Sequence, residues 1–141
     1  MKDVLTKSQR SYCMSRIRSR GNLATELRLK ELLKTNHISG WKRNHPIFGK
    51  PDFAFTAQRI AIFVDGEFWH GHPSRCQIPK ANRTFWIRKI ERNKARDRLV
   101  NRTLRTNGWN VIRVWQHQLS NPKSISKLLQ KIRNLVSEYS R

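Results

Sequence analysis

The stretch VDGEFWHGH, residues 64–72, places two carboxylates, two histidines and two large aromatic rings within nine positions. Each residue type admits a specific chemistry. His70 can take a proton near neutral pH if a carboxylate orients its ring, and Asp97, on a later segment, is a candidate for that role. The competing reading pairs Asp97 with one of the chain's many arginines, and spacing alone leaves both open. Asp52, in the step Pro51-Asp52-Phe53, offers an oxygen ligand of the kind that hard divalent cations bind; it could equally accept hydrogen bonds from nearby backbone. Glu67, His72, Cys76 and His117 are all zinc-ligand types, and His72-x3-Cys76 has ligand-like spacing. The plain alternative is a solvated loop. Phe68-Trp69, on a glycine-flanked loop, could insert between stacked bases or fold back onto the core.

Composition narrows the setting. Thirty Lys and Arg against nine Asp and Glu give a net charge of +21 over 141 residues, so the partner is a polyanion. Nucleic acid is the first inference, through phosphate neutralisation and counterion release. An anionic membrane surface is the weaker reading, because no strongly amphipathic terminal helix stands out. No run approaches the roughly 18 apolar residues of a membrane span, and MKDVLTKSQR lacks the apolar stretch of a secretory signal. Two cysteines, Cys13 and Cys76, speak against a disulfide scaffold and for a reducing cytosol. Acids that approach a phosphate-binding face repel the ligand, so any that fall there serve metal binding or proton transfer.

These residues need elements to hold them. No repeat or linker-like tract divides the chain, which predicts one domain over residues 1–141. A basic helix or arm occupies about the first 20 residues, with Met14 and Ile17 on one side. NLATELRLKELLKTN reads as an amphipathic helix whose apolar stripe is Leu29, Leu32 and Leu33. Glu26 falls at the edge of that stripe, and Glu31 points away. SGWKRNHPIFGK reads as a turn-rich connection or edge hairpin. KPDFAFTA and RIAIFVDG read as adjacent strands. The second is an almost continuous apolar run, hence central and covered on both faces. NRTFWIRKIERNKARDRLVNRTLRTNG is a long helix ended by Gly108. Its inner stripe, Trp86, Ile90, Asn93, Asp97, Val100 and Leu104, puts a carboxylate in an apolar face, where it needs a partner. Trp86 on that stripe reads as core unless the start of the helix overhangs a groove. WNVIRVW is a further strand and SNPKSISKLLQKIRNLVSEY a closing helix. The expected class is α/β, with a mixed central sheet flanked by helices.

A Pro-Asp step followed by further acids suggests metal-dependent phosphodiester hydrolysis, in which a divalent ion stabilises the transition state and activates water. The usual restriction-nuclease pattern adds an acid-x-Lys triplet on the next strand, but here the triplet is Phe63-Val64-Asp65. The order of motifs nevertheless resembles the very-short-patch repair (Vsr) endonucleases. The resemblance runs through ATELRLKELL, GKPDFAF, IAIFVDGEFWHGHP, PKANRTFWIRKIERNKARDR and GWNVIRVWQHQL, roughly residues 3–120. That family is a divergent branch of the restriction-endonuclease-like fold that lacks the lysine, and its members nick DNA beside a T:G mismatch.

The resemblance implies a role for each position. Asp52 would bind magnesium with the backbone carbonyl of Val64, and Glu26 would hold metal-bound water. His70 would be the catalytic histidine and Asp97 its orienting partner. Asp65 stands where the family can also carry histidine, as proton carrier or water positioner. Phe68, Trp69 and Trp86 would form a major-groove wedge, with Met14 and Ile17 its minor-groove counterpart. The family's structural zinc is usually held by several cysteines; the matching positions here are Glu67, His72, Cys76 and His117, which implies a zinc site rebuilt with other ligands or a loop without metal. The expected partner is double-stranded, mismatched DNA, met by a monomer in the cytoplasm and nucleoid, alone or with mismatch-repair proteins. Two other functions stay open: a Vsr-like nuclease of a mobile element or phage with different specificity, and a non-catalytic nucleic-acid-binding protein such as a small ribosome-associated one.

Overall fold

The computed structural model describes residues 23–139; Met14, Ile17 and the rest of the basic N-terminal segment lie outside the described residues. Helix α1 covers residues 23–35. It buries Leu29 and Leu33 completely, with Leu32 packed beside them. It ends in a left-handed turn. The Ile38 N–H donates to the Leu33 carbonyl and the His37 N–H to that of Lys34, while His37 takes a φ of 58°. That is the Schellman arrangement, with histidine where glycine is commonest.

Four strands follow in one sheet: β1 (Lys42–Arg43), β2 (Phe53–Phe55), β3 (Ile60–Asp65) and β4 (Asn110–Trp115). Their spatial order is β1-β2-β3-β4, antiparallel for the first two pairings and parallel for β3 with β4. The parallel pair needs a crossover. Helix α2 (Arg83–Thr106) supplies it, reached from β3 through the loop 66–82. A 3-10 turn (Gln116–Ser120) leads from β4 into helix α3 (Pro122–Tyr139). The architecture is the expected single α/β unit with a mixed sheet, consistent with a restriction-endonuclease-like fold, and the turn-rich segment before Asp52 contributes the short edge strand β1. No described helix is long and apolar enough to cross a membrane.

All six residues of β3 are buried, and they alternate between two cores. Ile60, Ile62 and Val64 join Phe53, Phe55, Leu29, Leu33, Leu128, Leu129 and Ile132 on the side of α1 and α3. Ala61 and Phe63 join Val100 and Leu104 under α2. The period of two therefore sends Asp65 to the α2 side, toward the inner stripe of that helix. Burying each large aliphatic side chain of β3 contributes about 1.5–3 kcal/mol before entropy is counted.

Helix α2 ends as its sequence predicts. Gly108 has a φ of 86°, and the Trp109 N–H reaches back to the Leu104 carbonyl. Upstream, the loop carrying His70 seats against the same helix at Gly71, whose φ is 65°. A Cβ there would lie 2.9 Å from Ile90 Cγ2 and 2.7 Å from Lys94 Cδ. Lysine can swing aside, but Ile90 is buried and cannot. Gly71→Ala should therefore cost about 1–3 kcal/mol, from backbone strain and overlap together. Denaturant unfolding measures it, and a loss under about 0.5 kcal/mol would show that the loop is not held against α2.

Candidate active site

Because β2 and β3 run antiparallel, the start of β2 lies beside the end of β3. Asp52 is tied there: the Val64 N–H donates to its Oδ2 at 2.7 Å. Glu26, from α1, meets the same carboxylate, and its Oε2 accepts from Arg43 Nη2 at 2.5 Å. Burial and the hydrogen bond and repulsion from Glu26 push Asp52 up to about 7, against the pull of the Val64 amide and His70. Two carboxylates sharing a hydrogen bond share a proton. Such a pair discharges that proton when a cation arrives, so Asp52 and Glu26 fit a divalent metal by the chemistry of their donors.

The second half of the site comes from the loop after β3 and from α2. His70 Nδ1 lies 2.7 Å from Asp97 Oδ2, and Asp65 Oδ1 is 3.7 Å away. An ionised carboxylate only accepts, so the ring proton belongs on Nδ1 and Nε2 is left as the basic nitrogen. Asn93, one helical turn before Asp97, donates from Nδ2 to the Trp69 carbonyl at 2.8 Å and steadies the loop beside His70. Both readings of Asp97 hold at once, since Arg113 Nη1 lies 3.5 Å from its Oδ1. The same Nη1 contacts Asp65 Oδ1 and Oδ2 at 3.0 and 3.1 Å. Burial raises the Asp65 pKa, with His70 and Arg113 opposing it.

Asp52, Val64, Asp65, His70 and Asp97 line one cleft of about 200 Å³, with Lys50, Arg96 and Arg113 as cations in its wall. The cleft thus joins Asp52, the carboxylate that Glu26 backs, with an imidazole suited to proton transfer. Water placed between them could be deprotonated by His70 and attack an electrophile bound at Asp52.

The four residues expected to hold zinc gather near the end of β4, where hydrogen bonds and ring contacts join them. The amide and ring Nδ1 of His117 both contact Glu67 Oε1 at 2.7 Å. Burial opposes ionisation of Glu67, yet these His117 bonds prevail and hold its pKa below the ordinary value. His72 Nδ1 accepts from the Ser74 and Arg75 amides, each at 3.1 Å, and Cys76 Sγ points to the Phe68 carbonyl at 3.5 Å. Burial pushes the Cys76 thiol up, with Lys94 opposing it. Among the described residues, the metal-ligand types whose donor atoms do converge, within 4.8 Å, are Asp65, His70 and Asp97. The Glu67–His117 hydrogen bond ties the loop to the 3-10 turn after β4.

Phe68, Trp69 and Trp86 meet edge to face, with ring centroids 5.1, 5.6 and 6.1 Å apart. They are half-buried rather than packed into either core, and Lys89 lies 6.0 Å over the Trp69 ring. Trp86 is therefore a neighbour of the loop aromatics at the start of α2. Reading the residues one by one missed Arg113, Asn93 and Arg43. Arg113 had a signal: an arginine inside the apolar strand WNVIRVW cannot be buried without anions beside it.

Comparison with known proteins places the chain in a family. The family described as DNA mismatch endonuclease Vsr matches residues 2–77. A type II nicking enzyme of Neisseria meningitidis serogroup C, V.NmeDIP, is 40% identical, across 96% of this chain and 91% of its own. Another, V.HpaIIP of Haemophilus parainfluenzae, is 42% identical over 92% and 94% of the two chains. The DNA mismatch endonuclease Vsr of Escherichia coli K12 is 36% identical over 82% of this chain and 74% of its own. With a family match over more than half the chain and relatives aligned nearly end to end, the chain belongs to the Vsr family of DNA mismatch endonucleases and is itself a DNA endonuclease.

Proposed function

We propose that this enzyme nicks one strand of double-stranded DNA at or beside a T:G mismatch, with magnesium as its catalytic metal. The observation that carries the reading is the single cleft lined by Asp52, which Glu26 backs, and by the His70–Asp97 dyad. Asp52 and the Val64 carbonyl would hold magnesium and Glu26 its water, and the ion would supply charge neutralisation at the phosphate. His70 Nε2 takes a proton from the attacking water as the new P–O bond forms. Asp97 holds the imidazolium that results. The P–O bond to the leaving sugar oxygen breaks, and that oxygen takes its proton from solvent. Asp65, buried beside His70, limits where the ring can turn. Glu67, His72, Cys76 and His117 would hold a structural zinc that reinforces the brace which the Glu67–His117 bond already supplies.

The charge of +21 supplies binding to the backbone, and the aromatic trio supplies mismatch sensing. Phe68, Trp69 and Trp86 would enter at the mismatch from the major groove, with Met14 and Ile17 opposite them. A weakly stacked mismatch admits such a wedge at lower cost than a matched step. One copy of the chain carries every residue this chemistry uses. A mobile-element or phage specificity would appear as nicking of other duplexes in the same assay.

Asp52→Ala and His70→Ala should each lower the nicking rate on a T:G duplex by about a thousandfold or more, with magnesium present. Their DNA affinity should stay within about threefold, because the phosphate contacts remain. Robust cleavage by either variant, or wild-type cleavage unchanged by removing magnesium, would refute the mechanism.

Phe68→Ala and Trp69→Ala should reduce the preference for T:G over matched duplex by about tenfold, the scale of one lost stacking contact. The salt dependence of binding should not move. Equal cutting of matched and mismatched DNA by the wild type would exclude the mismatch role.

The raised pKa of Asp52 sets a pH signature in chelator-treated protein. Between the ordinary value of 3.8 and about 7 the folded state keeps a proton that the unfolded chain releases. Stability from this group therefore falls as pH rises through that window. Asp52→Asn should be more stable than wild type by about 1–2 kcal/mol at pH 8, with the gap closing by pH 4. Urea unfolding across pH tests this, and a gap independent of pH would contradict it.

A further inference from the structure

Resting on the nuclease reading above, we propose that Arg113 is a positioning residue for the nicking reaction, holding Asp65 and Asp97 in the geometry that orients His70. Its guanidinium is held through Nη1, Nε and one face of its plane. Nη1 bridges both oxygens of Asp65 and lies 3.5 Å from Asp97 Oδ1. Nε donates to Asn101 Oδ1 at 2.7 Å, and the group sits 4.2 Å over the Phe63 ring.

Regular structure fixes each of these contacts. Arg113 is the β4 partner of Phe63 in the parallel ladder, so it lies across from that ring. Asp65, two residues on, points to the same face of the sheet. Asp97 and Asn101 are four apart on α2 and therefore present adjacent side chains to that face. A planar fork with donors at both Nε and Nη1 is what this arrangement needs, and lysine cannot reproduce it.

The consequence is a choice for His70. Its Nδ1 has two carboxylates within 3.7 Å, yet it bonds to Asp97 at 2.7 Å. Arg113 engages Asp65 through both oxygens and Asp97 only through Oδ1, which leaves Asp97 Oδ2 for the imidazole. Without the fork, Asp65 competes for the ring, and Nε2 loses its fixed aim into the cleft. Arg113 also supplies the positive charge that these converging acids would otherwise draw from a metal ion.

Arg113→Lys keeps the charge and removes the fork. Expected is a fall in kcat of about tenfold to a hundredfold, the scale of a small misplacement of a catalytic group, with KM within about threefold. In proton NMR of nitrogen-15-labelled protein, the slowly exchanging Nδ1–H of His70 should be present in wild type and lost in the variant. Asn101→Ala, which leaves Arg113 in place but frees its Nε, should lower kcat about threefold or more in the same direction and serves if Arg113→Lys folds poorly. A kcat within twofold of wild type in both variants would overturn the proposal, and so would a rise in KM alone, which marks a phosphate contact instead. His70→Ala run alongside separates the two levels. If it is inactive while the Arg113 and Asn101 variants are normal, only this inference falls; if it is active, the nuclease mechanism falls first.

Discussion

Strand β3 is buried on both faces, and the placement of the site follows from that constraint. A strand whose every residue is covered can keep a carboxylate only if something on the covering layer answers it. Ile60, Ile62 and Val64 lock one face against α1 and α3, while Ala61 and Phe63 lie under α2. Asp65 is the next residue on that second face, and a slip of one position would turn it into the aliphatic core. Burial of the apolar residues thus sets the register of the polar one. The parallel ladder with β4 then carries Arg113 to the place where Asp65 needs it.

The protein holds two crowded pairs of acids in a chain of strong positive charge, and it treats them differently. Asp65 and Asp97 share a guanidinium, so their charge is offset within the fold. Asp52 and Glu26 have Arg43 only on the Glu26 side, and Asp52 stays protonated up to about 7. The first pair has a cation between its members, whereas the second has one only at its Glu26 end. That asymmetry separates the part that orients the imidazole from the part suited to a cation. It also means that the Asp52–Glu26 half opposes folding once its shared proton is lost, a familiar cost of a preorganised site.

Much of this was legible from residue order. The stripe of α1, the apolar run of β3 and the inner face of α2 each declare their partners by periodicity, and Asp97 in an apolar stripe announced that it needed one. Gly108 ended α2 as its backbone freedom allows. Glu26 at the edge of its helical stripe did reach the site. Arg113 was hidden because strand alternation tells which face a residue takes but not which strand lies beside it. Asn101 looked like any polar position on a long helix until β4 was laid against it.

The loop 64–72 shows where sequence stops. By themselves the residues determined the chemistry available: an imidazole, carboxylates and a pair of aromatic rings, in a chain whose charge demands a polyanion. They could not show which residue Glu67 meets, because its partner lies fifty residues away. Only the tertiary structure brought His117, just beyond the last parallel pair Asp65–Trp115, against Glu67. The physical reason is that coordination and hydrogen bonding use the same atoms. Residue type says what an atom can bind, and packing says which neighbour reaches it.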